Sequence, residues 1–461
     1  MAASVTEISS STRLSFGRKL FSGCGEIAGV LGYGSVGILY VFFLTDVAGI
    51  SPALAGSVFM LARVWDAVSD PLMGMISDRT RTKWGRRRPF FLIASVPLGL
   101  SFFLIWFPFS VADELARVVV YTIVFVMFMT AATTYAVPYL SYLVELTDDY
   151  HERTSVYNFR MSFSLVFGLA AAVVPKLIVD SYADKQTGFV MMGLYIGAVM
   201  TALALLMFIG TRERYGAQVR QERLEFVTEL KQMFRNPAFP SLAVLFVGGF
   251  GAVHVIQGFV LYYLKYWLDR EADMPILFVT VVLFAVLSLP LWAQLSRRVG
   301  KKNTLLAGLT LWGIAQFGWL VINPGLPSYT LYVFGAVVGL GFGCVHVLPY
   351  AMVPDVVDMD ELNTGRRREG VYTGVLLFLY KVGNSIGMFL IGIALQVIGY
   401  VPNVAQQGTA LEGMRLIMAF APFAFLMIGL LGALLSPMTR ERCQEVRAAL
   451  NKRAVSQEVF S

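Results

Sequence analysis

Long apolar stretches fill this chain and constrain its fold more than any other feature. About twelve runs reach the roughly 20 residues that a helix needs to cross a bilayer. They lie near residues 22–46, 52–76, 89–110, 116–143, 158–179, 188–210, 239–267, 274–295, 304–323, 329–352, 371–398 and 412–436. The 461 residues are 57% hydrophobic and 15% charged, whereas soluble chains average about 25% charged. Most of the surface must therefore face lipid.

Basic residues concentrate in alternate connections between these runs. Six Lys or Arg residues lie in 78–89, four in 297–302, three in 365–369 and six in 211–235, and the intervening loops hold few. Because cytoplasmic loops carry such an excess, we expect both termini in the cytoplasm and the chain in the plasma membrane, which is the inner membrane of a bacterium. The clusters could also bind anionic lipid. The net charge of +7 follows this alternation, so we expect no nucleic-acid partner.

The longest interior loop divides the predicted spans six and six. Its segment ERLEFVTELKQMF has a helical apolar period and predicts an amphipathic surface helix. A basic, glycine-containing loop follows the second span of each half, a pattern typical of two-bundle transporters. We predict an all-α membrane protein of twelve transmembrane helices in two six-helix bundles, working as a monomer. Its parts are an N-terminal tail (1–21), a first bundle (22–210), a linker with the amphipathic helix (211–238), a second bundle (239–436) and a C-terminal tail (437–461).

Three ionisable residues interrupt the second apolar run. Arg63, Asp66 and Asp70 recur at i, i+3 and i+7, so a helix places them on one face. A charge at the bilayer centre costs about 2.5–3.5 kcal/mol on insertion scales. Two carboxylates this close stay ionised only beside a cation, and otherwise one takes up a proton. The pair therefore predicts a site for Na⁺ or H⁺, with a permanent salt bridge between helices as the alternative. Beyond this coupling ion we expect no cofactor.

A second buried charge lies in the eleventh apolar run. Lys381 stands in the middle of YTGVLLFLYKVGNSIGMFL, too deep to reach the interface easily. A carboxylate partner is expected, and Asp66 and Asp70 are the candidates. A fixed structural bridge would explain the same pairing.

Other polar residues could face a substrate. Thr133 and Tyr135 offer hydroxyls in ATTYAVPYLSYL, where Pro138 also frees a backbone carbonyl; ordinary helix packing would use them equally well. Arg160, just inside the fifth run, could bind an anionic or hydroxyl-rich substrate or anchor the interface. His346 is a lone histidine that could pack in the core or face a cavity and carry a proton.

Charged loops predict a gate. The segment PDVVDMDELNTGRRREG mixes acids with three arginines, and the basic loop 78–89 begins with an aspartate. We expect a cytoplasmic charge network that locks one gate. Its members are Arg63, Asp78, Arg79, Arg88, Asp355, Asp358 and Arg366.

With these residues assembled, the chain resembles the glycoside–pentoside–hexuronide:cation symporter family, the melibiose-permease-like branch of the major facilitator superfamily. The matching stretches run in the family's order over nearly the whole chain. They are FFLTDVAGIS, ARVWDAVSDPLMGMISDRTRTKWGRRRPF, VPYLSYLVEL, HERTSVYNFR, DVVDMDELNTGRRREGVYTG and YKVGNSIG.

The resemblance implies a twelve-helix fold and entry coupled to Na⁺, Li⁺ or H⁺. It assigns Asp66 and Asp70 to the cation pair, which would be the metal ligands if the ion is Na⁺. Thr133 matches the family's helix-four hydroxyl ligand. Arg160 matches its substrate-side arginine, and Lys381 the lysine that faces the cation site.

Three positions depart from the family's pattern. Ala136 replaces a helix-four aspartate, Val30 replaces a sugar-binding aspartate with Glu26 one turn earlier, and His346 replaces an aromatic platform. All three changes weaken the family's galactoside site, and the loss of the helix-four acid favours H⁺ slightly. We predict a substrate site of five residues, Glu26, Tyr135, Arg160, His346 and Lys381.

We predict cation-coupled symport of a sugar, glycoside or related small organic solute by alternating access. The family also resembles lysophospholipid symporters, so an amphiphile is the alternative cargo. A lipid enzyme would need a nucleophile or metal constellation, and no G-x-S-x-G elbow or His/Cys cluster occurs. A non-transporting scaffold would normally bring a soluble domain.

Overall fold

Helices make up nearly all of the protein in the computed structural model, which describes residues 14–147, 150–211 and 226–460. In chain order they are α1 (Phe16–Asp46), α2 (Pro52–Arg79), α3 (Arg88–Ile105), α4 (Glu114–Glu145), α5 (Tyr150–Asp180), α6 (Lys185–Gly210), α7 (Phe226–Arg235), α8 (Ala238–Tyr262), α9 (Met274–Val299), α10 (Lys301–Gln316), α11 (Ser328–Thr364), α12 (Glu369–Val397), α13 (Thr409–Leu435) and α14 (Arg440–Phe460). A π-helical turn, Tyr263–Trp267, extends α8. The predicted all-α class is confirmed.

Ten of the helices in the described ranges are long and apolar enough to cross a membrane. Among the helices that match the twelve apolar runs, α2 and α10 fall outside this set. Arg63, Asp66 and Asp70 lower the hydropathy of α2, and α10 has only 16 residues. The chain is therefore a multi-pass membrane protein with ten clear spans in the described ranges. The predicted total of twelve stays a prediction.

The chain divides into two compact units. The first unit combines the described parts of Met1–Val36, Val68–Phe109 and Ile123–Val219. The second unit combines Gly37–Ala67, Ser110–Thr122 and the described part of Arg220–Ser461. Helix α2 thus contributes Arg63 and Asp66 to the second unit and Asp70 to the first. The bundle boundaries at 22–210 and 239–436 stay a prediction.

Close packing of α3 on α6 organises the first unit. A Cβ added to Gly99 would lie 2.2 Å from the carbonyl oxygen of Gly197. Since real Cβ atoms do not approach an oxygen so closely, only glycine permits this contact. Small residues of this kind let membrane helices touch backbone to backbone.

In the second unit α8 packs against α12 and α13, and α9 against α11. The first half of α2 joins this unit by a similar close approach to α12. A Cβ on Gly392 would lie 2.3 Å from the carbonyl oxygen of Pro52, and one on Gly56 would lie 3.1 Å from the Phe389 backbone. The start of α2 and the end of α12 are therefore in direct backbone contact.

Two helices lie outside the predicted spans. Helix α7 falls within the predicted linker, although the first part of the linker (212–225) lies outside the described residues. The predicted C-terminal tail forms α14, whose Arg447 pairs with Asp355 of α11 and whose Val446 is buried. Docking against α11 explains why this tail is helical although its composition is polar.

Candidate functional site

Asp66 is fully buried in the second unit and is held by two cations. Lys381 Nζ lies 2.9 Å from Asp66 Oδ2, and Arg63 Nη1 lies 3.6 Å from the same oxygen. The expected carboxylate partner of Lys381 is therefore Asp66. Arg63, which we had placed in the gate network, pairs with Asp66 because the two are one helical turn apart. Removing one partner of such a buried pair leaves a costly uncompensated charge.

Asp70 is held by hydroxyl groups in the first unit. The Thr133 hydroxyl donates to Asp70 Oδ1 at 3.0 Å, and the Ser69 hydroxyl donates to Thr133 Oγ1 at 3.3 Å. Pro71 follows in α2 and has no N–H to donate to the carbonyl of Ala67 one turn back. Carboxylate, hydroxyl and carbonyl oxygens are the ligands that hard cations prefer. The region around Asp70 is thus rich in such oxygens.

Arg160 forms a bidentate ion pair with Glu26 in the first unit. Its Nε donates to Glu26 Oε2 at 2.7 Å and its Nη2 to Oε1 at 3.1 Å. Glu26 therefore supplies a carboxylate to the arginine although Val30 stands where the family has an acid. Tyr135 is buried close to this pair, but its hydroxyl donates to the Gly25 carbonyl at 2.8 Å. In this conformation that hydroxyl joins α4 to α1.

An aromatic cluster surrounds His346 in the second unit. The His346 ring lies 5.2 Å from the ring of Phe342 and 5.9 Å from that of Phe250. Phe250 in turn lies 5.1 Å from Tyr380, which precedes Lys381 in α12. The aromatic surface expected to be missing at His346 is thus supplied by its neighbours. Such rings offer stacking surface to the flat face of an organic solute.

A charge network does form near the end of α2, but its centre is Arg87. This buried arginine contacts Asp78, donates to Ser77 Oγ at 2.5 Å and lies 2.9 Å from Glu145 Oε1. Asp78 is therefore a member, as predicted, and Glu145 is an addition. Consecutive arginines gave no sequence signal to choose among them, and Glu145 lies far away in the chain.

The other two predicted arginines of this loop lie elsewhere. Arg88 donates to the Phe208 carbonyl at 2.8 Å and its guanidinium stacks over the Phe208 ring, so it fastens α3 to α6. Arg79 is exposed at the end of α2. Arg79 and Arg88 were predicted as members of the charge network, but Arg87 is the arginine that contacts Ser77, Asp78 and Glu145.

A second network lies at the end of α11. Asp355 is buried between Lys301 at 2.6 Å and Arg447 at 2.8 Å. Asp358 pairs with Arg367 at 3.0 Å. Both predicted acids thus take part, with a cation from α14 that the sequence pattern did not indicate.

Arg366, the third predicted member, forms no ion pair with any residue that the structure describes. The buried pair of this turn is Arg368 with Asp360, at 2.7 Å. The arginine of this network is therefore Arg368 and not the predicted Arg366, two residues earlier, because Arg368 faces α11 whereas Arg366 is exposed.

The strongest carboxylate cluster of the second unit was not predicted. Asp46, at the end of α1, accepts from Lys265 at 2.7 Å, the Tyr400 hydroxyl at 2.6 Å and the Thr45 hydroxyl at 2.8 Å, and Tyr266 also donates to it. Burial, and then the Asp46 charge, raise the pKa of Tyr400 far above its ordinary value. Tyr400 therefore stays a neutral donor. An acid at the end of an apolar run was the only sequence signal.

Comparison with known proteins decides the family. The family model described as MFS/sugar transport protein matches residues 21–440. The chain belongs to this family. The transporter is 29% identical to a putative sulfoquinovose importer of Escherichia coli, covering 91% of this chain and 90% of the relative. It is 24% identical to sodium-dependent lysophosphatidylcholine symporter 1-A of Danio rerio, covering 88% and 83%.

Solved structures show the same fold. A bacterial homolog of the human lysosomal transporter Spinster, in an inward-facing and unoccupied conformation, matches with a TM-score of 0.70. The identity is 14%, and the match covers 92% of the transporter and 98% of that chain. The resemblance drawn from sequence motifs is confirmed, as is the choice of a transporter over an enzyme.

Proposed function

We propose that the transporter couples the entry of H⁺ or Na⁺ to the uptake of a sugar or glycoside by alternating access. The observation that carries the proposal is the arrangement on α2, where two carboxylates one turn apart are held differently. Asp66 is balanced by Lys381, and Asp70 accepts from Thr133. One acid thus holds a fixed cation, and the other presents oxygen ligands.

Competition for Asp66 supplies the coupling. A cation that arrives beside the acids of α2 weakens the attraction between Asp66 and Lys381, which lies on α12. A proton on either carboxylate has the same sign of effect. Loading therefore changes the strength of a contact between two helices, and a ligand shifts a conformational equilibrium only through such differential interactions. The empty, doubly acidic site is costly to occlude, so the transporter changes state with its ion bound.

The pair of Arg160 and Glu26 supports a hydroxyl-rich cargo. A sugar ring needs both donors and acceptors. After Arg160 has donated two N–H groups to Glu26, the pair still offers three N–H donors beside a carboxylate. The aromatic cluster of the second unit, with His346, offers a stacking surface. We assign these residues to substrate binding, and a sugar importer among the relatives agrees with the assignment.

Uptake into proteoliposomes tests the proposal. The full chain is reconstituted, and accumulation of a labelled glucoside and a labelled galactoside is followed under an inward Na⁺ or H⁺ gradient. Wild-type protein should concentrate one of these solutes under one of the two gradients. Asp66→Asn and Asp70→Asn should each abolish concentration.

The matched control is Asp184→Asn. Asp184 caps α6 by accepting from the Thr187 N–H at 2.8 Å, and asparagine caps helices equally well. This variant should transport like wild type. Undiminished gradient-driven uptake in both α2 variants would contradict the proposal.

A lysophospholipid-like amphiphile is the second candidate cargo. The second unit contains an apolar pocket whose walls include Val253, Val281, Trp312 and Phe342. Apolar walls of this kind suit an acyl chain. Under this alternative, labelled lysophosphatidylcholine is taken up and Val281→Trp, which fills the pocket, removes that uptake. Glycoside uptake that persists in Val281→Trp favours the first candidate.

We also propose that α2 and α10 cross the membrane with the ten clear spans. Twelve crossings in two bundles then place both termini in the cytoplasm, as the basic loops indicate. The functional unit in this proposal is a monomer in the plasma membrane that uses no cofactor besides the coupling ion. Within the described ranges, no cluster of three His, Cys, Asp or Glu side chains forms a metal site.

A further inference from the structure

We propose that the transporter binds a phosphate-type anion in a polar pocket between α7 and the turn from α11 to α12. The pocket is open to solvent and is lined by Gln232, Arg235, Thr364 and Arg366. It lies wholly within the second unit. It shares no residue with the proposed ion and sugar sites.

Two arginines give the pocket its charge. Arg235 and Arg366 are both exposed, and neither forms an ion pair with a residue that the structure describes. The two arginines that follow Arg366 in the chain do form ion pairs. Arg367 pairs with Asp358 at 3.0 Å, and Arg368 pairs with Asp360 at 2.7 Å. Two guanidinium groups thus converge on one space that has no acid in its lining.

The wall between the two arginines presents donors. Gln232 Oε1 accepts from Arg368, so its amide nitrogen remains to donate into the pocket. The nearest buried acid, Asp360, is already neutralised by two hydrogen bonds from Arg368, at 2.9 and 2.7 Å. The pocket is therefore positive, and the adjacent carboxylate does not repel an anion.

The end of α11 does not oppose an anion here. A helix C-terminus normally carries partial negative charge because its last carbonyls lack donors. The Glu361 carbonyl accepts from Gly365 N at 2.8 Å, and the Leu362 carbonyl accepts from Arg453 at 2.6 Å. The Asp360 carbonyl accepts the Thr364 hydroxyl. These hydrogen bonds reduce the partial negative charge at the C-terminal end of α11, beside the pocket.

Phosphate fits this donor set best. The planar guanidinium fork binds two oxygens of a phosphate at once, which gives stronger contacts than a point charge. A lipid headgroup and a free phosphate ion share this chemistry. Phe234, next to Arg235 in the chain, is 55% exposed and could contact the apolar part of a lipid.

Thermal unfolding of the full-length protein in detergent tests binding. Inorganic phosphate is titrated against chloride at constant ionic strength, and the midpoint should rise because the ligand binds the folded state alone. Arg235→Gln and Arg366→Gln should each weaken phosphate binding by roughly tenfold. Arg366→Lys should keep part of the affinity because charge remains without the fork.

A second arm distinguishes the two sources of phosphate. The protein in nanodiscs of pure phosphatidylcholine is compared with the protein in nanodiscs that also contain phosphatidylglycerol, and retained lipid is measured by native mass spectrometry. Retention of phosphatidylglycerol that is lost in the Arg235→Gln, Arg366→Gln double variant identifies a headgroup. A response to inorganic phosphate alone identifies a soluble anion.

The matched control is Arg298→Gln, an exposed arginine of α9 outside the pocket. It should leave both responses unchanged. An equal loss in this control, or no response to either probe in wild-type protein, overturns the proposal. If a glutamine variant unfolds before titration, the comparison of Arg366→Lys with wild type decides in its place.

Discussion

Two buried carboxylates of the second unit, Asp46 and Asp66, are held in different ways. Asp46 accepts from Lys265 and from the hydroxyls of Thr45, Tyr266 and Tyr400, so that each of its oxygens has two donors. Asp66 is held by charge, with Lys381 at 2.9 Å and Arg63 at 3.6 Å. A carboxylate such as Asp46, whose oxygens all accept directional hydrogen bonds, holds its partners in one fixed arrangement. Under the proposed function, a carboxylate balanced mainly by charged side chains can exchange these partners for an ion.

The largest effect on stability is expected at Asp46. Asp46→Asn leaves Lys265 without its charge partner and turns one acceptor oxygen into a donor that faces donors. We expect a loss of about 3–5 kcal/mol in the free energy of unfolding. Unfolding in mixed micelles measures it. Asp269→Asn, in an exposed turn, is the control and should change little; a comparable loss there would show that the effect is not specific to Asp46.

A double-mutant cycle at Asp66 and Lys381 should give the next largest effect. Each of Asp66→Asn and Lys381→Gln should cost about 2–3 kcal/mol, less than at Asp46 because Lys381 is 20% exposed. The double variant should recover about 2 kcal/mol of the summed loss. Gradient-driven uptake should stay absent in all three. Strictly additive losses would show that Asp66 and Lys381 do not interact. Recovered uptake in the double variant would show that Asp66 is a structural residue like Asp46.

The smallest effect is expected at Asp355, a buried acid whose cationic partners, Lys301 and Arg447, are 32% and 58% exposed. Burial, and then the charge of Asp355, raise the pKa of Cys443 to about 11. The thiol is therefore neutral until the pH approaches that value, and alkylation at pH 8 should be about a hundredfold slower than for an ordinary cysteine.

Asp355→Asn should speed this alkylation, because it removes the charge and loosens α14, while costing about 1 kcal/mol or less. Glu445→Gln is the control, since Glu445 pairs only at the exposed surface of α14 with Arg442 at 2.9 Å. Unchanged labelling in Asp355→Asn would show that α14 is held by other contacts.

Sequence reasoning predicted what hydropathy and isolated charge determine. The helical class followed from the apolar runs, and the partner of Lys381 followed from the cost of a lone charge in lipid. Both predictions hold. The incorrect predictions concern residues of the same type that stand side by side in the sequence. Three consecutive arginines at 86–88 are equivalent in sequence. Glu145 lies within 3.0 Å of both Arg86 and Arg87, and the contacts with Ser77 and Asp78 distinguish Arg87.

The cluster at Asp46 escaped prediction for a similar reason. Its donors Lys265 and Tyr400 lie more than two hundred residues along the chain, and nothing in their local sequence points to Asp46. The pairing of Glu26 with Arg160 shows the reverse case. There the family's pattern suggested a lost acid, whereas the fold supplies one from the preceding turn.

The glycine contact between α2 and α12 has a mechanical consequence. Because no side chain separates Gly392 from the Pro52 carbonyl oxygen, α2 and α12 cannot slide past each other there without a clash. The contact therefore acts as a pivot between the two helices. Asp66 lies ten residues beyond Gly56, about 15 Å along α2. A small tilt of α2 about this contact would therefore displace Asp66 by a larger distance than the residues at the contact. A bulky side chain at position 392 would block that tilt without touching Asp66.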